Sequence, residues 1–342
     1  RRGPFVPFYQ ASHHHGNTMK ESLDDEDKYD QIEQWCLAQI QGASDVFFDP
    51  SLFRSTLRAK SMEWSFPYES LHSFLRNLHL YHVKIMTRHI QRNTNVYVKE
   101  YVKEGVSILT LAKRENYPPY LLSRYLVEQM TVLPDGKKGL TKSMRDPRLV
   151  LGDRDIILPE YQESELHPFD SSSNNSTGAT STTRLAMEVE RALSSDPLYG
   201  PKHDRQRNTI GLEYEVVLED MLRAMDIPFE NESQLRDKGS ARTPDIVLQV
   251  PIGVKVGSEW RVVCWIDSKA LFGDVGTHKT TVLPQAVSYV HRFGPGMILY
   301  WFGHAPLSRL GDANGDLVIQ GWEMPHQYMW PTGEIGNRPP DT

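Results

Sequence analysis

Two cysteines in 342 residues, Cys36 and Cys264, are too few and too far apart for a disulfide framework or a cysteine zinc site. That scarcity makes a reducing intracellular compartment the expectation. Long apolar runs are missing too. No stretch reaches the roughly 18 residues of a membrane span, and the first 20 residues carry no apolar core of a signal peptide. Neither a membrane protein nor a secreted one is expected. The chain opens on Arg1 rather than Met, so the natural start is expected upstream. There is no internal repeat, and no excess of positive charge overall: the formal net charge is -6.

What is present is an ordinary globular composition, 39% hydrophobic and 24% charged, with length for two domains. The charge is unevenly placed. Between Lys84 and Arg148 stand 13 Lys and Arg against 6 Asp and Glu, a local +7 inside an acidic chain. A basic block of this kind is a candidate electrostatic footprint for phosphate. His13, His14 and His15 read as a disordered tract without function rather than a metal site.

Composition divides the chain into three parts: residues 1–164, 165–183 and 184–342. The middle part contains Ser171-Ser172-Ser173-Asn174-Asn175-Ser176-Thr177-Gly178, polar and aperiodic, and is expected to be a flexible linker or insertion. The first part reads as all-helical, with helices near 22–40 and 69–92. Within it, Ser107 suits the cap of a short helix with Ile108, Leu111 and Ala112 inward. Asn116-Tyr117-Pro118 breaks that helix, and Pro119 suits the first turn of the next, Tyr120 to Met130. On the second helix Leu122 and Leu126 are expected buried, and Ser123, Arg124 and Gln129 more exposed. The pair makes a helix-turn-helix over about 107–130, with Arg124 the obvious donor to a DNA backbone.

The third part alternates helices and strands. A helix is expected over Gly211 to Met225, strands over Asp245 to Val250 and Trp260 to Lys269, a helix over about Val282 to Phe293, and a strand through Gly296 to Phe302. The near-continuous apolar character of the last strand predicts burial on both faces. The order predicts an α/β/α sandwich around a mixed sheet.

The chemistry gathers at the ends of two of these strands. Side chains alternate faces along a strand, so Asp267 and Lys269 project together from the sheet. Asp245 opens the partner strand directly after Pro244, and a hairpin near Gly257 can bring it back beside them. Buried charges at a sheet surface need a partner or a cation. Oxygen ligands of this type suit Mg²⁺, with Mn²⁺ a substitute; the ion keeps several waters and binds through few carboxylates. Such an ion can hold a phosphate oxygen and generate hydroxide, with Lys269 beside the attacking water. The preceding helix offers Glu213 and Glu215, on opposite borders of its apolar stripe, and helical periodicity alone does not choose between them.

Pro244-Asp245 followed by Asp267-Ser268-Lys269 resembles the PD-(D/E)xK motif of restriction-endonuclease-like nucleases. Gly211-Leu212-Glu213-Tyr214-Glu215 is similar to the glycine-then-glutamate helix of the archaeal Holliday-junction resolvases, and this match points to Glu215 as the helix acid. Gln285-Ala286-Val287-Ser288-Tyr289 resembles the Q-x-x-x-Y helix motif of the same superfamily, implying that Gln285 and Tyr289 orient the DNA backbone or Lys269. A broader likeness, from Ser107 to Gly303, is to the codanin-interacting nuclease family. It is carried by Trp265-Ile266-Asp267-Ser268-Lys269-Ala270, Phe272-Gly273-Asp274 and Arg292-Phe293-Gly294-Pro295-Gly296. The resemblance implies a C-terminal restriction-endonuclease-like domain after an all-helical domain. It also implies a DNA substrate, branched or structured, and an endonuclease with metal at Asp245, Asp267 and the Ser268 carbonyl, Glu215 assisting directly or through water. A codanin-like partner, a possible homodimer, and a place in nucleus and cytoplasm complete the implications. Asp267 stands where animal members carry Glu, which shortens the ligand by one methylene. The alternative is a catalytically inactive adaptor on the nuclease fold. His278 and Asp274 read as structural groups, and Tyr300 and Trp301 as core.

Overall fold

β-Branched and aromatic residues between Pro244 and Lys269 form a long hairpin around which the C-terminal part is built. The computed structural model describes residues 26–42, 53–131, 161, 184–312 and 315–339. The expected linker at 165–183 and the His13–His15 tract lie outside these residues. The hairpin strands are β2 (Ile246–Val256) and β3 (Glu259–Lys269), following β1 (Phe229–Asn231). Gly257 makes their turn with φ +60°, a left-handed value that suits glycine.

Four further strands complete a seven-stranded mixed sheet: β4 (Gly296–Tyr300), β5 (Leu317–Gly321), β6 (Gln327–Met329) and β7 (Ile335–Asn337). The order is β5-β4-β3-β2-β6-β7, with β1 beside β2. β3, β4 and β5 are parallel, and the remaining pairs are antiparallel. β1 covers the first residues of β2 and β6 covers Gly253 and Val254, so one edge of β2 is shared by two strands. All five residues of β4 are buried, as an apolar strand with parallel neighbours requires. A register shift between Val247 and Ile252, around Pro251, bends the hairpin.

The described residues fall into two compact units. One holds the sheet and, as far as described, draws on 26–38, 53–78 and 209–339. Its helices are the residues to Ala38 of α1 (Glu26–Gly42), α2 (Arg54–Glu63), and the residues to Leu78 of α3 (Tyr68–Lys103). The residues from Thr209 onward of a later helix, Pro201–Ala224, belong here as well, as does Leu283–Phe293. Tyr214, Leu218 and Leu222 of the former join Ile266, Met297 and Leu299 in one core. On the other face, Tyr289 of the latter meets Trp265 edge-on at 5.3 Å. Helices therefore cover both faces. Phe74 packs on Phe272 at 4.8 Å, while Ser73 Oγ accepts from Phe272 N and Asn77 Nδ2 donates to Phe272 O, each at 2.8 Å. The residues before 79 were expected in a separate helical domain; these bonds fasten them instead to the loop that follows Lys269.

The other unit is helical and comprises 39–49 and 79–208, as far as described. It contains the rest of α3, α4 (Ile108–Arg114), α5 (Pro119–Met130) and α6 (Arg184–Ser195). Ser107 caps α4 as expected, accepting from Thr110 N at 3.1 Å, and Glu188 Oε2 of α6 accepts from Ile108 N at 2.7 Å. Leu185, Val189 and Ala192 of α6 are buried with Ile108, Leu111, Leu122 and Leu126. Residues from 184, expected in the sheet domain, thus complete the helix pair. Asn116 turns the chain between α4 and α5 at φ +47°. Ser123 is a correction: it is fully buried, its hydroxyl donating to Tyr120 O at 2.7 Å, and Arg124 and Gln129 are half-buried. A short polar side chain that satisfies itself on the preceding turn can face a core.

Gly296 opens β4 against the Trp265 ring, and a Cβ at this position would run into the indole. Gly296→Ala should therefore destabilise by about 1–3 kcal/mol through overpacking, and adding Trp265→Leu should recover part of the loss. Urea denaturation of the single and double variants checks this; a neutral Gly296→Ala would contradict it.

Candidate active site

The β2–β3 ladder pairs Ile246 with Ile266 and Val247 with Trp265. Asp245 and Asp267 lie directly past this last pair on the two neighbouring chains, close enough for the Asp267 charge to act on the Asp245 carboxyl. Lys269, two residues after Asp267, shares its face of the strand. Lys269 Nζ lies 2.6 Å from Asp267 Oδ2, and Asp267 is 1% exposed. The enclosed Oδ2 therefore has the Lys269 ammonium as its direct partner.

Asp245 Oδ2 accepts from Ser268 N at 2.6 Å, and Ser268 Oγ accepts from Trp301 Nε1 at 2.8 Å. Trp301 in turn packs on Tyr214 at 5.0 Å between ring centroids. Ser268, placed by the motif between the two charges, thus locks Asp245 to the sheet and the sheet to the helix 201–224. Trp301 is core, as expected, but it is also the donor that fixes Ser268. That role had no signal in the sequence.

Burial, and then the Asp267 charge, hold the Asp245 carboxyl well above its ordinary value, with Lys269 opposing. Burial pulls the Lys269 ammonium down, but Asp267 and Asp245 more than reverse this and it is raised. The Glu215 carboxyl is raised by burial and by Glu232, while Lys269 acts against them and Asp267 with them. Glu215 is thereby the acid of its helix that senses the Asp267–Lys269 pair. Glu232 escaped sequence reading. It starts the short helix Glu232–Asp237, which Asn231 and Gln234 close with a capping box. The Asn-x-x-Gln spacing was the available signal.

Gln285 and Tyr289 meet as the i, i+4 spacing implies, with Gln285 Nε2 donating to the Tyr289 hydroxyl at 2.6 Å. The Tyr289 hydroxyl is pushed up to about 12 by burial and by Asp267, so this ring lies within the field of the aspartates. Arg124 belongs to the helical unit and is half-buried, with its Nε enclosed. Asp274 and His278 are buried structural groups. Asp274 accepts from Thr277 N at 2.8 Å and from Asn77 Nδ2 at 3.1 Å; His278 Nδ1 meets the Tyr300 hydroxyl at 2.8 Å. Burial lowers the His278 imidazole to about 4.

Among the described residues no three His, Cys, Asp or Glu side chains form a metal-holding group. The motif offers the carboxylates of Asp245 and Asp267, and oxygen ligands of this kind suit Mg²⁺ better than a metal needing nitrogen or sulfur ligands. Two carboxylates sharing the single ammonium of Lys269 leave net negative charge, which fits a cation.

The folded Asp245 carboxyl protonates at higher pH than an unfolded one. The folded state therefore holds an extra proton above pH ~3.9, and stability falls as pH rises through that window. In EDTA, Asp245→Asn should be more stable than the parent protein at pH 8, with the gap closing toward pH 4. Melting curves across this range check it; a variant less stable at pH 8 would refute the electrostatic account.

Residues 181–320 match the family described as "Protein of unknown function TPD sequence-motif". The chain is 31% identical over 273 residues to CDAN1-interacting nuclease 1 of Xenopus laevis, covering 74% of this chain and 79% of that protein. The same-named protein of Homo sapiens is 30% identical over 291 residues, covering 81% and 87%. That of Danio rerio is 34% identical over 218 residues, 61% of each. No solved structure matches the chain. Identity at this level across most of both chains shows that the protein belongs to the CDAN1-interacting nuclease 1 family.

Proposed function

We propose that the protein is a metal-dependent nuclease that hydrolyses phosphodiester bonds in DNA, branched or otherwise structured, on a PD-(D/E)xK sheet. The observation that carries this reading is the gathering of Asp245, Asp267 and Lys269 at one end of the β2–β3 ladder, two carboxylates that share one ammonium. The nuclease in the relatives' name supports it. A CDAN1-like partner, and a place in nucleus and cytoplasm, belong to the same proposal.

Asp245, Asp267 and the main-chain oxygen of Ser268 would hold Mg²⁺ or Mn²⁺. Such an ion, when bound, neutralises phosphate charge and makes a bound water acidic enough to attack at neutral pH. Lys269, kept protonated by its two aspartates, orients the attacking water and offsets negative charge growing on phosphorus. Glu215, with its raised carboxyl, takes a proton directly or through a water. The Gln285–Tyr289 pair positions the DNA backbone beside Trp265.

The test is a cleavage panel of single-stranded, duplex, flap and four-way DNA with Mg²⁺, Mn²⁺ or EDTA. Cleavage should require the metal, and Lys269→Ala and Asp267→Asn should each lose about 10³-fold or more, on the scale of removing one preorganised charge. Removing Lys269 alone strands a buried carboxylate, so Lys269→Met with Asp267→Asn and Asp245→Asn serves as the inactive variant in which no member of the trio keeps a charge. No metal-dependent cleavage of any substrate would overturn the reading in favour of an adaptor, and full activity in the folded variants would overturn the site assignment.

A further inference from the structure

Within the helical unit, Lys84, Arg88, Arg92, Lys99 and Lys103 all lie on α3 and all are exposed. At about 3.6 residues per turn they fall within one arc of roughly 100°, and at ~1.5 Å per residue they span about 28 Å. Asn95 lies within this arc and Gln91 at its border, while Val83, Ile90, Tyr97 and Tyr101 face the core on the other side. Among the described residues none of the five cations makes an ion pair. Glu100, on the same helix, is engaged with Arg114 at 2.7 Å. Five like charges along one face repel one another, and a polyanion removes that repulsion.

A groove of about 320 Å³ runs beside this row, lined by Gln91, Thr94 and Asn95 of α3 and by Tyr125, Glu128 and Gln129 of α5. Asn95 belongs to both the row and the groove, and Gln91 lies at their border. Glu128 makes the groove unfavourable for phosphate. Its carboxylate accepts from amino groups, and the amides of Gln91, Asn95 and Gln129 both donate and accept. That is the chemistry of a nucleobase edge, with the Tyr125 ring available to an apolar face. A base can enter such a groove only when it is unpaired and unstacked.

We propose that the outer face of α3 carries the phosphates of a single-stranded nucleic-acid segment and that the adjoining groove takes one of its bases. Its service to substrate capture rests on the nuclease reading; the binding itself does not. Half-buried Arg124 is not needed for it.

The test measures fluorescence anisotropy of the whole chain in EDTA with strands of about 20 nucleotides, as single-stranded DNA, single-stranded RNA and duplex DNA. Contact with five phosphates gives a log–log salt slope of about -3.5 for a single strand. Lys84→Gln/Arg88→Gln/Arg92→Gln should flatten the slope by about 2 and weaken binding about 100-fold at 0.1 M salt. Asn95→Ala/Gln129→Ala should keep the slope but lose the preference for single strand over duplex. The DNA and RNA arms identify which strand is the ligand.

A parental slope in the triple variant, equal affinity for duplex and single strand, or stronger binding of polyglutamate than of either strand would each overturn the proposal. The last result would mark the face as a dock for an acidic protein. Strand binding without metal-dependent cleavage sinks the nuclease reading alone; cleavage with a parental slope in the triple variant sinks this one alone.

Discussion

Two carboxylates held together at the end of an antiparallel ladder, with a single ammonium beside one of them, are the constraint on which the rest of the sheet unit depends. Asp245 and Asp267 repel, Asp267 is buried and Asp245 half-buried, and Lys269 answers them only in part. Such an arrangement is weak as a stabilising device, because removing charge from water costs more than one imperfect pair returns. A fold that maintains it has to fix the backbone beneath. The β2–β3 register does so, set by the Gly257 turn and by the shift around Pro251.

The surrounding packing reads as support for that register. Trp265 lies under the site, hydrogen-bonded to Gly294 O at 2.8 Å and pressed against Gly296, where no side chain fits. On the other face, Ser268, Trp301 and Tyr214 link the Asp245 carboxylate to the helix that carries Glu215. The Lys269 main-chain oxygen accepts from Leu271 N at 2.7 Å and Trp301 N at 3.1 Å, which fixes the lysine where the strand ends. Ser73 and Asn77 then hold the following loop at Phe272. Charge, hydrogen bonding and core packing therefore converge on the same few backbone positions.

Much of this was legible in the sequence because it follows from local periodicity. Period 2 puts Asp267 and Lys269 on one face, and the unbroken apolar run from Gly296 identifies a strand buried on both faces. Ser107 and the Asn116–Pro118 break mark α4 and α5. Glu215 and the Gln285–Tyr289 pair came from resemblance, since a helix position says nothing about which sheet edge it will reach. What escaped depends on long-range partners. The short edge strands β6 and β7 carry little pattern of their own, and residues before 79 look like any helical segment until Phe272 and Asp274 receive them. Arg124 is less exposed than a long cation on a short helix suggests, its Nε being enclosed. The membership of α6 in the helical unit rests on Glu188 reaching the start of α4, a contact 80 residues apart.

The central claim is that the two aspartates exist to hold a divalent cation, and the most direct measurement is the effect of Mg²⁺ on thermal stability without nucleic acid present. Binding to the folded state alone stabilises by about 2.7 kcal/mol when the ion is at 100 times its Kd. The parent protein should therefore melt at progressively higher temperature as Mg²⁺ is raised, while Asp267→Asn and Asp245→Asn should not respond. A parent protein indifferent to Mg²⁺ and Mn²⁺, or variants that respond as fully as the parent, would contradict the account.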